Sequence, residues 1–184
     1  MYIALSGPSG VAKTTVAIRS SIELGITFCP SIVRTVLVET GVKNVIDSDD
    51  VEKMQMILHH TKHLIEQNYR KIGCDYITDR SHLDVLAYTL IFCSQNPTSS
   101  WWIEDCTDLA LKYAHSYDFT FLFEPNPNMD KDDARIHNYS HQLAVYAILR
   151  GLYQHYCIPH TIIPLNTSID QKVNIIIKMV KKGK

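Results

Sequence analysis

An excess of charge of one sign and long apolar runs are both missing from this sequence, and each absence excludes a class of protein. The 18 Lys and Arg residues nearly balance 19 Asp and Glu residues. A globally basic, nucleic-acid-binding surface is therefore not expected, although a local basic groove stays open. No apolar run reaches the roughly 18 to 20 residues of a membrane span, and we expect no spanning segment. A content of 46% hydrophobic and 20% charged residues excludes wholesale disorder.

Paired cysteines are missing as well. The five cysteines form an odd set without a CxxC pair, which favours free thiols in a reducing compartment over a disulfide framework. The first ten residues, MYIALSGPSG, lack the positive region of a secretory signal. We therefore expect a cytoplasmic location. The length of 184 residues fits a single domain over 1–184.

Short apolar runs alternate along the chain with helical periodicity, and this alternation indicates an α/β fold. The predicted strands cover residues 2–6, 26–29, 74–78, 119–123 and 160–165. The predicted helices cover residues 14–23, 31–40, 49–71, 82–94, 101–115, 139–156 and 169–181. Because the strands lack period-two alternation, they fit a parallel sheet that is covered on both faces. We predict a three-layer α/β/α domain with a central parallel sheet of about five strands, which binds ligands beyond the strands' carboxyl ends.

A phosphate-binding loop directly follows the first predicted strand. Residues 7–15, GPSGVAKTT, match the pattern G-x-x-x-x-G-K-[ST] at Gly7, Lys13 and Thr14, with Ala12 in place of the second glycine. Backbone N–H groups in such a loop wrap the β-phosphate at the positive end of the helix dipole. Lys13 is expected to bridge the β- and γ-phosphates, and the Thr14 hydroxyl to hold Mg²⁺. The residues predicted to hold ATP here are Gly7, Ser9, Gly10, Val11, Ala12, Lys13, Thr14 and Thr15.

Three other classes of phosphate-loop protein are disfavoured by motifs that the sequence lacks. GTPases need D-x-x-G and N-K-x-D, and neither occurs. Transport ATPases need LSGGQ, which the LSGP at 5–8 does not match. Helicase-like motors usually need an acidic pair after a strand and a longer chain. The residues beyond the loop must therefore decide the function.

The third predicted strand ends in a motif that carries a family resemblance. Residues 74–88, CDYITDRSHLDVLAY, resemble the P-loop nucleoside and nucleotide kinases. The likeness is greatest to the thymidylate-kinase-like and ribosylnicotinamide-kinase-like branches, which carry an acidic-Arg pair after this strand. Asp79 and Arg80 form that pair, and Asp84 and Tyr88 follow. The resemblance implies the P-loop NTPase fold of the nucleoside monophosphate kinases, with a lid over 126–138.

The resemblance also implies roles for residues outside these two motifs. It places Lys131 and Arg135 of the lid on the phosphates, and Asn166 in the loop that lies against adenine. It also implies that Arg34 is the arginine that binds the phosphate of the acceptor. Phosphoryl transfer depends mostly on positioning and on neutralising the charge of the equatorial oxygens, which such cations supply.

Four residues form the predicted catalytic set: Lys13, Asp79, Arg80 and Arg135. The cations among them would neutralise charge on the transferred group. The carboxylate of Asp79 has two roles that the sequence leaves open. It takes a proton if the acceptor is a hydroxyl, and it orients Mg²⁺ through water if the acceptor is already a phosphate.

The acceptor pocket is predicted from helical spacing. Asp84 and Tyr88 lie four residues apart on one helical face, so we expect both to line this pocket. Arg34, Asp79 and Arg80 complete the predicted substrate-binding set. Thr14 and Asp79 are the predicted metal-binding residues.

Several other features are interpreted as structural. Glu124, which closes a predicted strand, is interpreted as a cap, and the tryptophan pair at 101–102 as core or interface. Three histidines on the long predicted helix include an i, i+4 pair, but no acid of the HExxH kind accompanies them. They are interpreted as a solvated face: His59, His60 and His63.

The sequence favours ATP- and Mg²⁺-dependent phosphoryl transfer to a nucleoside monophosphate, with a deoxynucleotide preferred. The reason is the positive charge of Arg34, Arg80 and Arg135, which exceeds what a neutral sugar needs. Three alternatives stay open: a nucleoside or ribosylnicotinamide-type kinase, a kinase of DNA 5′ ends or modified bases, and a regulator whose catalysis is blunted by Ala12. A small nucleotide or nucleoside is the expected partner, nucleic acid is not favoured, and a homodimer is left open.

Overall fold

The structure, a computed structural model, describes residues 1–43, 45, 48, 50–95, 101–127 and 138–183. Most of the predicted lid, including Lys131 and Arg135, lies outside the described residues. No helix within the described residues is long and apolar enough to cross a membrane. The elements in chain order are β1 (Tyr2–Ser6), α1 (Lys13–Leu24), β2 (Thr27–Cys29), α2 (Val33–Thr40), α3 (Val51–Lys71), β3 (Tyr76–Asp79), α4 (His82–Gln95), α5 (Trp101–Ala114), β4 (Phe119–Phe123), α6 (Tyr139–His155), β5 (Thr161–Ile163) and α7 (Ile169–Lys182).

The strands form one sheet in the order β2-β3-β1-β4-β5, and every neighbouring pair is parallel. The central strand β1 pairs Leu5 with Asp79 of β3, and Ser6 with Leu122 of β4. The carboxyl ends of β1 and β3 therefore lie side by side. This arrangement confirms the predicted three-layer α/β/α fold with a parallel five-stranded sheet.

Helices cover both faces of the sheet because successive strand residues point to opposite sides. Phe121 and Phe123 of β4 pack in one core with α1 and α7, whereas Leu122 between them packs with α4, α5 and α6. A third apolar cluster joins α2 and α3 around Val36 and Leu58. This third cluster lies next to the cavity described below.

Two strand boundaries differ from the prediction. β3 covers Tyr76–Asp79 rather than 74–78, so Asp79 is the last residue of the strand and lies at the carboxyl end of the sheet. β5 covers Thr161–Ile163, shorter than the predicted 160–165, because Pro164 has no N–H to extend the ladder. The end of α3 agrees with the sequence, since Gly73 adopts φ of +67° and donates its N–H to Arg70.

The interpretation of the three helical histidines as a solvated face is wrong for His59. Its side chain is buried where α3 packs on α4, and its Nε2 lies 3.3 Å from the Thr89 hydroxyl. Burial, with Lys62 as a further cause, lowers the pKa of His59 to about 4. Within the part of the chain that the structure describes, no three His, Cys, Asp or Glu side chains are grouped to hold a metal ion.

The structural interpretations of Trp102 and Glu124 are confirmed. Trp102 is 1% exposed and belongs to the core. Glu124 Oε2 accepts the Leu165 N–H at 2.9 Å. That bond joins the segments that follow β4 and β5, which is the capping role expected of a lone acid at a strand end.

Candidate active site

A cavity of about 690 Å³ opens at the carboxyl ends of β1 and β3. The loop between β1 and α1 forms one side of it, and α2, α3 and α4 form most of the other. Its polar lining consists of Ser9, Lys13, Thr14, Thr15, Ser31, Arg34, Thr35, Gln55, Asp79, Arg80, Tyr88 and His141. The rest of the wall is largely apolar and includes Phe28, Val33, Leu37, Val45, Val51, Leu58, Val85, Ile91 and Phe92.

The phosphate loop depends on glycine at Gly7. This residue has φ of +132°, and a β-carbon there would lie 2.7 Å from the Phe123 carbonyl oxygen. Gly10, at the top of the loop, also has a positive φ, of +81°. The loop can thus pass close over the end of β4 only without a side chain at position 7.

Ala12 occupies a left-handed conformation, with φ of +67° and ψ of +20°. Glycine adopts this conformation without strain, but for a residue with a β-carbon it costs about 1–2 kcal/mol of conformational energy. Helix α1 nevertheless starts in regular register, because the Ala12 carbonyl accepts the Val16 N–H at 3.1 Å. The structure therefore shows a backbone cost at Ala12, the position where the phosphate-loop pattern has its second glycine.

Lys13 lies within the curve of the loop. Its side chain is buried, and Nζ donates to the carbonyl oxygens of Gly7 at 2.7 Å and Pro8 at 2.5 Å. An ammonium group offers three donors and no acceptor. The anionic oxygens of a bound triphosphate would be stronger partners for it than these carbonyls.

Thr14 of α1 and Asp79 of β3 meet in the lining of the cavity. The Thr14 hydroxyl donates to Asp79 Oδ2 at 2.5 Å, and Asp79 is 4% exposed. Hydroxyl and carboxylate oxygens are ligands that Mg²⁺ prefers. Because Lys13 adjoins this pair, the residues present fit a Mg²⁺–ATP complex. Thr15 also lines the cavity and is exposed.

Arg80 and Tyr88 connect the end of β3 to the phosphate loop. The guanidinium carbon lies 5.0 Å from the centroid of the Tyr88 ring, within cation–π distance. The Tyr88 hydroxyl lies 3.1 Å from Ser9 Oγ. Burial disfavours the charged form, but Tyr88, Asp84 and Asp79 keep the pKa of Arg80 above its usual range. The cation is therefore retained at any physiological pH.

Asp84 does not line the cavity, which corrects the expectation from helical spacing. Its side chain is fully buried, and Oδ1 accepts the Gly7 N–H at 2.8 Å. Oδ2 accepts the N–H and the hydroxyl of Ser81, both at 2.7 Å. Tyr88 faces the cavity as expected, whereas Asp84 reaches beneath the loop because three donors surround it there.

The other predicted residues are distributed unevenly. Arg34 lines the cavity from α2. Val11 does not line the cavity, because its side chain is 2% exposed and packs in the core. Asn166 is exposed after β5 and does not line this cavity. Lys131 and Arg135 lie outside the described residues.

Gln142 of α6 is a site residue that the sequence analysis missed. Its buried side chain donates from Nε2 to the Ser9 carbonyl at 2.7 Å. Its Oε1 accepts the Asn126 N–H at 2.9 Å. One amide therefore joins the phosphate loop to the chain that follows β4. No local pattern marks Gln142, because its partners are distant in sequence.

Gln55 of α3 is a second missed residue, and a signal for it exists. It lines the cavity, and its Oε1 accepts the Thr89 hydroxyl at 3.2 Å. Val51 and Leu58, one turn away on either side, line the same cavity. A glutamine on the apolar face of a helix is unusual, and that position indicates a polar contact inside the fold.

The fold and the site together define a P-loop protein with the architecture of the nucleoside and nucleotide kinases. The parallel sheet, the loop after β1 and the Asp79–Arg80 pair after β3 all belong to that architecture. Residues 2–172 match the family model described as "AAA domain", and the chain belongs to this family. The family description itself specifies no acceptor.

Solved structures share this fold at low sequence identity. One is deoxyadenosine kinase from M. mycoides with dCMP and dCDP, at 15% identity and a TM-score of 0.76, covering 99% of this chain and 100% of that chain. Thymidylate kinase from Candida albicans has 13% identity and a TM-score of 0.70, with coverages of 98% and 91%. Shikimate kinase from Aquifex aeolicus has 15% identity and a TM-score of 0.59, with coverages of 98% and 96%. No curated protein sequence matches significantly. Because kinases with different acceptors share the fold, the acceptor must be argued from the cavity.

Proposed function

We propose that this protein transfers the γ-phosphoryl group of ATP, in a Mg²⁺-dependent reaction, to a deoxynucleoside monophosphate and releases the diphosphate. The strongest support is that two arginines, Arg34 and Arg80, line the same cavity as the phosphate loop. Guanidinium groups match the geometry and charge of a phosphate. A neutral sugar hydroxyl needs no such pair.

The charge balance of the cavity supports a second anion besides ATP. Within the described residues, its lining has the cations of Lys13, Arg34 and Arg80 against the carboxylate of Asp79. Burial lowers the pKa of His141, so this residue adds little positive charge near neutral pH. The ATP tail and an acceptor phosphate together would balance this positive excess.

The residues around the phosphate loop have separate tasks toward ATP. The N-terminus of α1 would hold the β-phosphate, and Lys13 would leave the Gly7 and Pro8 carbonyls for phosphate oxygens. Thr14 and Asp79 would hold Mg²⁺, which supplies charge neutralisation on the transferred group when it is bound. Because a phosphate acceptor is already ionised, Asp79 takes no proton in this reaction.

Arg80 is the proposed catalytic arginine. Its retained charge and its place beside the loop suit it to neutralise the equatorial oxygens during transfer. Arg34 is proposed to bind the acceptor phosphate. Lys131 and Arg135 are proposed to add positive charge from the lid, and Asn166 to lie against the adenine.

The apolar wall supports an acceptor with a flat aromatic part. Phe28 and Phe92 line the cavity together with aliphatic side chains, and Gln55 adds an amide that both donates and accepts hydrogen bonds. A few polar groups in an apolar pocket are the usual means of orienting a ligand. The similar structure of thymidylate kinase supports a deoxynucleoside monophosphate as acceptor, whereas that of deoxyadenosine kinase supports a deoxynucleoside, the acceptor of the second candidate.

A nucleoside or ribosylnicotinamide-type kinase is the second candidate, and the position of Asp79 favours it. This carboxylate lines the cavity next to Arg80, where a base for a sugar hydroxyl would be needed. The two candidates differ in one variant. Asp79→Asn abolishes turnover if the acceptor is a hydroxyl, and leaves measurable activity if the acceptor is a phosphate.

The test is a screen with γ-³²P-labelled ATP against common nucleosides, their monophosphates, modified pyrimidines and a 5′-hydroxyl oligonucleotide. We expect the label in a deoxynucleoside diphosphate. Label in a monophosphate made from a nucleoside would select the second candidate, and label on the oligonucleotide alone would select a DNA kinase. ATP binding without any product would make the protein a regulator.

Arg34→Ala provides the matched test of the acceptor site. It should raise the KM for the acceptor about tenfold or more, since a charge-assisted contact is lost, while the KM for ATP stays the same. Arg19→Ala is the control, because Arg19 is paired with Asp170 on the surface at 2.6 Å and lies outside the cavity lining. An equal effect of both variants would contradict the assignment.

We also propose a cytoplasmic location, where ATP and nucleotides are abundant. The five cysteines are free thiols in the structure, which supports a reducing compartment. A homodimer remains a prediction. Size-exclusion chromatography with light scattering would give the oligomeric state.

A further inference from the structure

Arg80 is held in a strained backbone conformation. Its φ is +87°, in a region that residues with a β-carbon occupy only when their surroundings impose it. Two hydrogen bonds fix its peptide groups. The Arg80 N–H donates to the Leu5 carbonyl at 2.9 Å, and the Arg80 carbonyl accepts the Thr78 hydroxyl at 3.2 Å. The turn directs the guanidinium toward Tyr88 and the cavity.

The direction of the Thr78 hydroxyl proton is fixed by a neighbouring lysine. Lys62 Nζ donates to Thr78 Oγ1 at 3.1 Å. Because an ammonium group cannot accept a hydrogen bond, the single hydroxyl proton of Thr78 has to point elsewhere. The Arg80 carbonyl oxygen accepts it at 3.2 Å, and the Cys29 thiol is a second hydrogen-bond partner of the same hydroxyl. Lys62 thus keeps the Thr78 hydroxyl in the role of a donor.

Lys62 is itself held in place by a buried carboxylate. Its Nζ lies 2.7 Å from Glu66 Oε1, and the two residues are 3% and 0% exposed. Glu66 also accepts the hydroxyls of Tyr76 and Tyr117, each at 2.9 Å. Buried ion pairs are often no more stabilising than apolar residues of the same size. This buried pair is therefore weak evidence for added stability, and its contact with Thr78 gives it a second role, that of orienting the hydroxyl.

We propose that Thr78 is a positioning residue for Arg80, and that the Lys62–Glu66 pair sets the direction of its hydroxyl. Thr78 is fully buried and does not line the cavity, so it acts only through Arg80. The inference rests on the proposed function, in which Arg80 neutralises charge on the transferred group. The inference adds a chain of contacts that runs from Lys62 of α3 through Thr78 to Arg80.

The kinetic test compares Thr78→Val with Thr78→Ser. Valine keeps the shape without the donor, and should lower kcat about 10- to 100-fold, as small misplacements of a catalytic group do. The KM for ATP should stay within about twofold, because the phosphate loop is untouched. Serine restores the donor and should recover most of kcat. Thr120→Val is the control, since Thr120 is a buried threonine of β4 outside the cavity lining.

Three kinetic outcomes would overturn the inference. These are a kcat for Thr78→Val close to that of the wild type, a serine variant as impaired as the valine variant, or an equal loss in Thr120→Val. If Thr78→Val does not fold, Lys62→Met combined with Glu66→Gln replaces it. This double variant removes both buried charges and keeps an acceptor for the two tyrosines, and it should show the same loss of kcat.

Crystal structures supply a readout that does not depend on activity. Arg80 should keep its positive φ in the wild type and should leave it in Thr78→Val, or in the double variant. An unchanged Arg80 in the variant would overturn the inference. An inactive wild-type protein would contradict the proposed function alone, because the conformation of Arg80 still decides the role of Thr78.

Discussion

Asp84 Oδ1 lies 2.8 Å from the backbone nitrogen of Gly7 and accepts its N–H. The first residue of the phosphate loop is therefore tied to the first turn of α4. The second carboxylate oxygen holds the backbone and hydroxyl of Ser81, directly after Arg80. One buried carboxylate thus sets the distance between the loop and the Asp79–Arg80 pair.

Asp84→Asn should destabilise the fold by about 1–3 kcal/mol, because an amide NH₂ replaces an acceptor that faces buried donors. It should also weaken Mg²⁺–ATP binding, because the hydrogen bond from Gly7 or the hydrogen bonds from Ser81 to this side chain are lost. Urea denaturation and calorimetry measure the two effects. Asp108→Asn, on the exposed side of α5, is the control. Equal stabilities of the two variants would contradict the role of Asp84 in joining the phosphate loop to Ser81.

Gly7→Ala should abolish ATP binding and destabilise the protein. The new β-carbon would lie 2.7 Å from the Phe123 carbonyl oxygen, at a positive φ of +132°. Gly151→Ala is the matched control, because Gly151 lies within α6 and a β-carbon there meets open space. Alanine in a helix should stabilise by up to about 1 kcal/mol. Thermal melts with and without Mg²⁺–ATP distinguish the two, and a Gly7→Ala protein that binds ATP normally would refute this account of the loop.

Substitutions at Ala12 should change stability in opposite directions. Ala12→Gly relieves the left-handed strain at φ of +67°, and should stabilise by up to about 1 kcal/mol after the greater entropy of the unfolded chain is subtracted. Ala12→Val adds a branched side chain to the same backbone and should destabilise. Chemical denaturation measures both. A less stable glycine variant would show that the backbone at position 12 is unstrained.

The phosphate loop and the sheet were predictable because both are local patterns. GPSGVAKTT and the apolar strand before it lie within fifteen residues. The direction of the Asp84 side chain was not predictable. Helical spacing shows that Asp84 and Tyr88 share a face, but it does not show which hydrogen-bond donors lie near Asp84 in the fold. The role of Gln142 depends on a contact with Ser9 across 133 positions of sequence. Such contacts exist only once the sheet has brought the elements together.

The burial of His59 should make stability depend on pH. Its pKa is lowered to about 4 in the folded protein, against an ordinary value of 6.5. As the pH falls below 6.5, His59 is protonated in the unfolded chain but stays neutral in the folded protein. The free energy of unfolding therefore decreases as the pH falls toward 4. Between pH 7 and pH 5 this loss amounts to about 2 kcal/mol.

The measurement is urea denaturation of the wild type and of His59→Gln at pH 7 and pH 5. The glutamine variant should lose about 2 kcal/mol less over this interval. It keeps part of the pH dependence, since burial lowers the pKa of His82 as well. His60→Gln, an exposed substitution on the same helix, is the control. An unchanged pH dependence in His59→Gln would contradict the assigned burial.

The central claim is that ATP binds in the loop at residues 7–15 with its phosphates on Lys13. Isothermal titration calorimetry with Mg²⁺–ATP tests this most directly, on the wild type and on Lys13→Ala. The account predicts saturable binding to the wild type and affinity at least about tenfold weaker in the variant, because a charge-assisted contact with the phosphates is lost. No binding to the wild type, or equal affinity in the two proteins, would contradict it.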